Sequence, residues 1–314
     1  MVEKIAVVGS GLIGRAWSIS FARAGYEVAL YDAKPEAVEA ALGFVDSVLA
    51  DLQSNGLLAD HRPEQVRGRI TLARDLGAAL DGAVHVQENT PERIDLKIAV
   101  FRELDALAGP DTVLASSTSA LLPSAFTETL AGRHRCLVIH PINPPYLVPA
   151  VEVVPAPWTA PETVERAAQI MRGAGQAPIV MKREIDGFVM NRLQGALLQE
   201  AFRLVADGYA SVEDVDIGIR DGLGLRWAFM GPFETIDLNA PGGVADYIER
   251  FDGLYRNLWP SQQRAVSWPE ASGAIEAERR AALPADGLAE HARWRDRRLM
   301  ALLAHKRAAA RDID

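Results

Sequence analysis

Gly9-Ser-Gly11-Leu-Ile-Gly14 follows the apolar run Lys4-Ile-Ala-Val-Val and opens a stretch, 12–24, that reads as a helix ended by Gly25. A glycine triplet in that setting constrains the fold more than any other feature, because strand, tight turn and helix must form one unit. The first glycine permits the turn, the second lets the backbone approach a pyrophosphate, and the third lets helix and strand pack closely. The amides of Leu12 and Ile13 then face the phosphates at the helix N-terminus, where the helix dipole favours anions. Asp32 ends the next strand, 27–32, where a carboxylate accepts from a ribose 2′-hydroxyl and repels a 2′-phosphate. Ala33 rather than an arginine follows it, so the sequence predicts NAD as cofactor in preference to NADP.

Beyond this unit, strand-like segments at 69–73, 83–88, 112–117, 135–140, 150–154 and 178–182 alternate with helical stretches at 35–54, 91–108, 121–131 and 161–173. That alternation predicts an α/β fold with a Rossmann-type, doubly wound, mainly parallel sheet covered on both faces. After about Asp186 the texture changes to helical periodicity broken by Gly222-Leu-Gly, Gly231-Pro and Pro241-Gly-Gly. A length of 314 residues suits two domains. We assign residues 1–185 to an NAD-binding domain and 186–314 to an all-α domain.

Composition removes several classes of function. The net charge of −9 argues against nucleic acid or an anionic membrane as partner. No apolar run approaches the ~20 residues that cross a bilayer. A single cysteine, Cys136, leaves no internal disulfide framework and fits a reducing compartment. With no basic leader ahead of Lys4, a cytoplasmic location is expected. The arginines Arg293, Arg295, Arg297, Arg298, Arg307 and Arg311 read as a solvated helix face.

A nicotinamide enzyme needs a group to move the hydroxyl proton when hydride leaves a carbinol carbon. Histidine suits that task, and a carboxylate beside it fixes its tautomer. Of six histidines, His140 stands at the end of an apolar strand, and open α/β sheets bind ligands beyond those ends. Pro141, Pro144 and Pro145 stiffen the chain after it, and Asn143 offers an amide. Glu152, twelve residues on, falls on a neighbouring segment; read alone it is equally an edge-strand carboxylate. Ser119, in the hydroxyl cluster Ala115-Ser-Ser-Thr-Ser-Ala-Leu121, reads both as a helix N-cap and as a donor to substrate. Asn191, in Gly187-Phe-Val-Met-Asn-Arg-Leu, is ordinary when taken by itself.

Taken together, the glycine fingerprint, Ser-Ser-Thr-Ser-Ala-Leu, His140-Pro-Ile-Asn-Pro, the glutamate at 152 and Gly187-Phe-Val-Met-Asn-Arg-Leu resemble the 3-hydroxyacyl-CoA dehydrogenase family. The likeness continues through Val86-Gln-Glu-Asn-Thr-Pro-Glu and Asp221-Gly-Leu-Gly-Leu-Arg-Trp-Ala-Phe-Met-Gly-Pro to Arg293-Trp-Arg-Asp, and so spans essentially the whole chain. It implies that His140 is the acid/base and Glu152 its orienting partner. It also implies that Ser119, Asn143 and Asn191 contact the reacting hydroxyl or carbonyl. Glu92 and Lys97 match family positions near the nicotinamide ribose. A homodimer through the helical C-terminal domain is implied as well, and no metal is expected.

The resemblance leaves the substrate open between a small 3-hydroxy acid such as L-gulonate and an L-3-hydroxyacyl-CoA ester. Coenzyme A carries several phosphates, and acyl-CoA members supply lysine for them from the helical segment after the second strand. Residues 35–61 contain no Lys or Arg, while Glu36, Glu39, Asp46, Asp51 and Asp60 are acidic, which weighs against CoA. A hydroxy acid needs one placed cation, and Arg226 is the candidate because a guanidinium binds carboxylate in a bidentate way. An inter-helix salt bridge is the alternative role for Arg226.

Overall fold

A computed structural model describes residues 2–312, which fall into two compact units. One runs to Met190 and takes in the chain from Arg295 onward; the other is Asn191–Trp294.

The first unit contains β1 (Lys4–Val8), α1 (Leu12–Arg23), β2 (Glu27–Tyr31), α2 (Pro35–Ser54), α3 (Pro63–Gly68), β3 (Ile70–Leu72) and α4 (Leu76–Leu80). It continues through β4 (Ala83–Glu88), α5 (Ile94–Leu107), β5 (Val113–Ser116), α6 (Pro123–Thr127), β6 (Cys136–Pro141), β7 (Ala150–Pro155), α7 (Pro161–Gly173) and β8 (Ala177–Val180). The strands form one eight-stranded sheet in the order β3-β2-β1-β4-β5-β6-β7-β8. From β1 the chain winds outward to β2 and β3, then returns to the other side of β1 with β4, so the switch point lies between β1 and β4. The pairs among β1 to β6 are parallel. β7 runs antiparallel to β6 and β8 parallel to β7, so the last two strands oppose the rest.

The inner strands of the sheet are buried on both faces, most of them as continuous apolar runs rather than alternating ones, whereas the edge strands β3 and β8 are largely exposed or half-buried. All six residues of β6 are buried. The long helix α2 lays Val38, Ala41, Val45, Val48, Leu49 and Leu52 against the core at helical spacing, leaving its acids outside. Two expected helices are shorter than the sequence suggests. The stretch 91–108 becomes helical only at Ile94, after Pro91. The stretch 121–131 yields only α6, because the Gly132 amide (3.0 Å) and the Arg135 guanidinium (2.8 Å) turn instead to the Asp105 carboxylate.

The second unit holds most of α8 (Met190–Ala206), then α9 (Val212–Ile217), a π-helical turn over Gly218–Leu223, α10 (Gly224–Trp227), α11 (Pro232–Asp237), α12 (Gly243–Gln262), α13 (Trp268–Ala282) and the start of α14 (Leu288–Asp312). It contains no strand among the described residues. Phe202 stacks on Trp268 with ring centroids 4.7 Å apart, and the Trp268 indole donates to Gln199 (2.8 Å). Tyr209, Phe229, Phe233 and Leu238 are each at least 70% exposed.

The division differs from the sequence expectation of one domain over 186–314, since α14 changes unit at Arg295. Met300 is buried in the core that contains Val45, Leu49 and Leu52, with Leu299, Leu303 and Ala304 packed against it. The apolar face of α14 therefore covers the first unit, while its six arginines stay exposed. No helix among the described residues is long and apolar enough to cross a membrane.

Candidate active site

Sheet register gathers the predicted residues of the first unit. Val8 is level with Glu88, Glu88 with Ser116 and Ser116 with Val138. The next row therefore brings Gly9, Asn89, Ser117 and Ile139 to the carboxyl edge, with His140 one residue further on. A separate concavity of about 450 Å³, lined by Pro155, Pro161, Lys182 and Arg183, lies toward the opposite edge, where Pro155 pairs with Leu137 at the start of β6.

The glycine turn is built as the fingerprint requires. Gly9 has φ +90°, and a Cβ there would sit 2.9 Å from the Asn89 carbonyl. A Cβ on Gly14 would lie 1.8 Å from the Gly9 oxygen, so helix and strand approach as closely as backbone allows. Gly11, by contrast, faces open space and caps α1, whose Leu12 and Ile13 amides have no acceptor one turn earlier in the helix. One Asp32 oxygen accepts from the Ser10 amide (2.7 Å) and hydroxyl (3.0 Å), and the other from the Lys34 amide (3.0 Å). Asp32 thus ties the turn to the end of β2. An open groove at Gly11, a helix N-terminus and an acid at the second strand fit a dinucleotide.

His140 and Glu152 are register partners across the antiparallel β6–β7 pair, which brings the two side chains together on one face. His140 Nδ1 lies 2.6 Å from Glu152 Oε2. Glu152 Oε1 accepts from the amides of Val189 (2.6 Å) and Met190 (2.8 Å). Glu152 is fully buried, and a carboxylate denied water needs such donors. The amides are aimed by a turn with two consecutive left-handed residues, Gly187 (φ +75°) and Phe188 (φ +50°). The Phe188 conformation costs on the order of 1 kcal/mol, and burial of its ring 5.7 Å from the imidazole offsets that. His140 is 7% exposed, so only a small part of its ring meets the outside.

Glu92 holds the loop after β5. Its carboxylate accepts from the Thr118 hydroxyl and from the amides of Ser119 (3.0 Å) and Ala120 (2.8 Å). Burial pushes the Glu92 carboxyl upward, but the Thr118 hydroxyl, the two amides and the charge of Lys97 outweigh it and hold it below the ordinary value. Lys97 is not placed to touch a ribose. It is buried and donates to both Glu88 oxygens (2.8 and 2.7 Å) and to the Thr90 carbonyl (2.9 Å). The reason is Glu88, itself fully buried and also bound by Ser116 (2.6 Å), which demands a counter-charge beneath the loop. Glu88 escaped the sequence reading; the signal was an acid closing a strand, Ala83–Glu88, that stands among buried apolar strands. Asn143 is exposed just beyond β6, and Ser119 is exposed in the loop held by Glu92.

In the second unit, Asn191 lies in the first turn of α8. Arg226 is exposed on α10, with Nη1 3.5 Å from Asn239 Oδ1 and no carboxylate within ion-pair distance among the described residues. The acids near α2 are less isolated than the sequence suggests. Asp46 pairs with Arg67 (3.2 Å) and Asp51 with Arg297 (3.8 Å), whereas Glu36, Glu39 and Asp60 stay exposed.

The chain is similar to known proteins over most of its length. Residues 4–185 match the model of the 3-hydroxyacyl-CoA dehydrogenase NAD binding domain, and residues 187–273 that of the C-terminal domain. Lambda-crystallin of Oryctolagus cuniculus is 43% identical over 311 residues, covering 96% of each chain. An L-carnitine dehydrogenase of Streptomyces griseus is 38% identical over 282 residues, covering 88% of this chain and 83% of that one. The solved structure of a 5-formyl-3-hydroxy-2-methylpyridine 4-carboxylic acid 5-dehydrogenase, an NAD+ dependent dismutase, superposes with a TM-score of 0.73 at 31% identity, covering 90% of this chain and 96% of that one.

Gly14→Ala drives a methyl into the Gly9 carbonyl and forces α1 off β1, an overpacking of about 1–3 kcal/mol. NADH affinity, read by fluorescence titration, should fall at least about tenfold. Affinity within twofold of the parent would place the dinucleotide elsewhere.

Proposed function

Because the chain belongs to the 3-hydroxyacyl-CoA dehydrogenase family, we propose that it oxidises a small 3-hydroxy acid, L-gulonate to 3-dehydro-L-gulonate, with NAD. The observation that carries this reading is the buried His140–Glu152 hydrogen bond at the carboxyl edge, in the same unit as the glycine turn. NAD, when bound, supplies the hydride acceptor. Gly11 and the amides of Leu12 and Ile13 take its pyrophosphate, and Asp32 takes a ribose hydroxyl.

His140 does the proton work. Glu152 accepts the Nδ1 proton, which leaves Nε2 with the lone pair that removes the substrate hydroxyl proton as the carbinol carbon gives up hydride. The imidazolium that forms is stabilised by the same carboxylate, already oriented by Val189 and Met190. Ser119, Asn143 and Asn191 donate to the oxygen as it becomes a carbonyl. Glu92 and Lys97 serve the cofactor end indirectly, by holding the loops that carry Ser119 and Thr90. The first unit is the cofactor domain; the second binds substrate and, through its exposed apolar side chains, pairs with a second copy in a homodimer. Burial and the Asp105 charge push the Cys136 thiol up to about 12, so it stays protonated near pH 7; the ground for a cytoplasmic location is the sequence's single cysteine.

Arg226 is our choice for the substrate carboxylate, since it is exposed with only a long contact to Asn239. The three exposed acids near α2 still oppose a polyphosphate mouth, although pairing of Asp46 and Asp51 weakens that repulsion. A second reading, L-carnitine, draws on the likeness to L-carnitine dehydrogenases and places the carbinol carbon at the same two bonds from a carboxylate carbon.

Initial rates of NADH formation with L-gulonate, L-carnitine and L-3-hydroxybutyryl-CoA at saturating NAD test the choice. Preference for gulonate is expected; preference for the thioester would overturn the small-acid reading. Arg226→Lys should then raise KM for the acid at least about tenfold while leaving KM for NAD unchanged. Equal effects on both would remove Arg226 from the substrate. Glu152→Gln presents an amide to Nδ1 and imposes the wrong tautomer, so kcat should drop about 10²- to 10⁴-fold with NADH affinity intact. A loss under threefold would show that Glu152 has no part in proton transfer.

A further inference from the structure

β4 carries polar side chains on both faces at its end. Glu88 faces α5, and Gln87 and His85 face α1, all three of them fully buried. On the α1 side a continuous set of hydrogen bonds crosses the sheet. His85 Nε2 lies 2.9 Å from Gln87 Oε1. Gln87 Nε2 donates to the Ser117 hydroxyl (2.7 Å) and to the Ile139 carbonyl (3.1 Å). Ser117 accepts a further bond from the Trp17 indole (3.1 Å) and donates to Asn89 Oδ1 (2.7 Å). Asn89 Nδ2 donates to the carbonyls of Val8 (3.3 Å) and Gln87 (2.8 Å).

The ends of this set fix the direction of every proton. The Ile139 carbonyl only accepts, so Gln87 must turn its NH2 toward it and its oxygen toward His85. His85 must then carry its proton on Nε2, which leaves Nδ1 bare. That atom is buried without a partner among the described residues. Burial lowers the His85 pKa to about 4 against the opposing Gln87 bond, so the ring stays neutral near pH 7. A buried lone pair without a donor weakens stability. What the ring contributes in return is a fixed carboxamide.

That carboxamide stands where the sheet begins to open. Pairing of β5 with β6 ends at Ser116 and Val138, one row before Ile139. Gln87 reaches past its small register partner Ala115 to the Ile139 carbonyl, directly before His140. We propose that Gln87, locked by His85, is a positioning residue that sets His140 and the Ser117–Asn89 floor beside it. This inference rests on the reading of His140 as the acid/base.

His85→Leu removes the lock and the orphaned nitrogen together. Its Tm should stay close to that of the parent, because the orphaned nitrogen is removed while Gln87 Oε1 loses its donor. Its kcat should fall at least about tenfold with KM for NAD within about threefold. Gln87→Met should lose kcat to a similar or greater extent, and the double variant should be no worse than Gln87→Met, because the two act as one unit. A merely structural role would instead lower Tm and kcat together. Turnover within twofold of the parent in Gln87→Met, or multiplied losses in the double variant, would overturn the proposal even if His85→Leu failed to fold. His140→Ala run alongside separates the two readings. Retained turnover there overturns the acid–base assignment, whereas lost turnover there beside an unaffected Gln87→Met overturns the positioning alone.

Discussion

A carboxylate with no exposed surface is an expensive group to place, and Glu152 is tolerated only because three donors converge on it from two other parts of the chain. Much of the architecture follows from that requirement. The short connection between β6 and β7 allows only an antiparallel pair, which reverses the sheet at this point and sets His140 opposite Glu152. The chain after β8 must return to offer the amides of Val189 and Met190, which explains the left-handed pair at Gly187 and Phe188. The same return ends at Met190, where the second unit begins.

A similar logic governs the edge of the sheet. Polar groups at the ends of β4 and β5 are buried on both faces, and each is fully committed to a neighbour: Glu88 to Lys97 and Ser116 on one side, Gln87 to Ser117 and Ile139 on the other. Buried polar sets of this kind hold one arrangement when complete and are costly when broken. They keep the strand ends in register while leaving the outermost groups, Gly11, Ser119 and Asn143, facing outward.

Much of this was legible beforehand. The eight strands stand out as apolar runs bounded by turn residues, and the glycine triplet with Asp32 gave a unit whose contacts follow from backbone sterics alone. His140 and Glu152 were readable as a pair because a short loop between adjacent strands brings residues twelve apart into register. Burial was harder to foresee. Lys97 looks like a surface cation on a helix, and only the three-dimensional position of Glu88 turns it into a buried counter-ion. His85 and Gln87 are two residues apart on one strand, and nothing in that spacing reveals that their partners come from β5, β6 and α1. The reach of α14 was missed for the same reason: its apolar face is plain in sequence, but which core it covers is a tertiary fact.

The passage of α14 into the first unit bears on the order in which the protein is made. Met300 and its neighbours, which complete the core of the nucleotide-binding unit beside α2, follow the whole of the second unit in the chain and are made after it. During translation the sheet and its glycine turn are present while Val45, Leu49 and Leu52 still lack that cover. The core of the first unit is thus closed only once the second unit has been made, and its full stability waits on a segment that lies beyond that second unit.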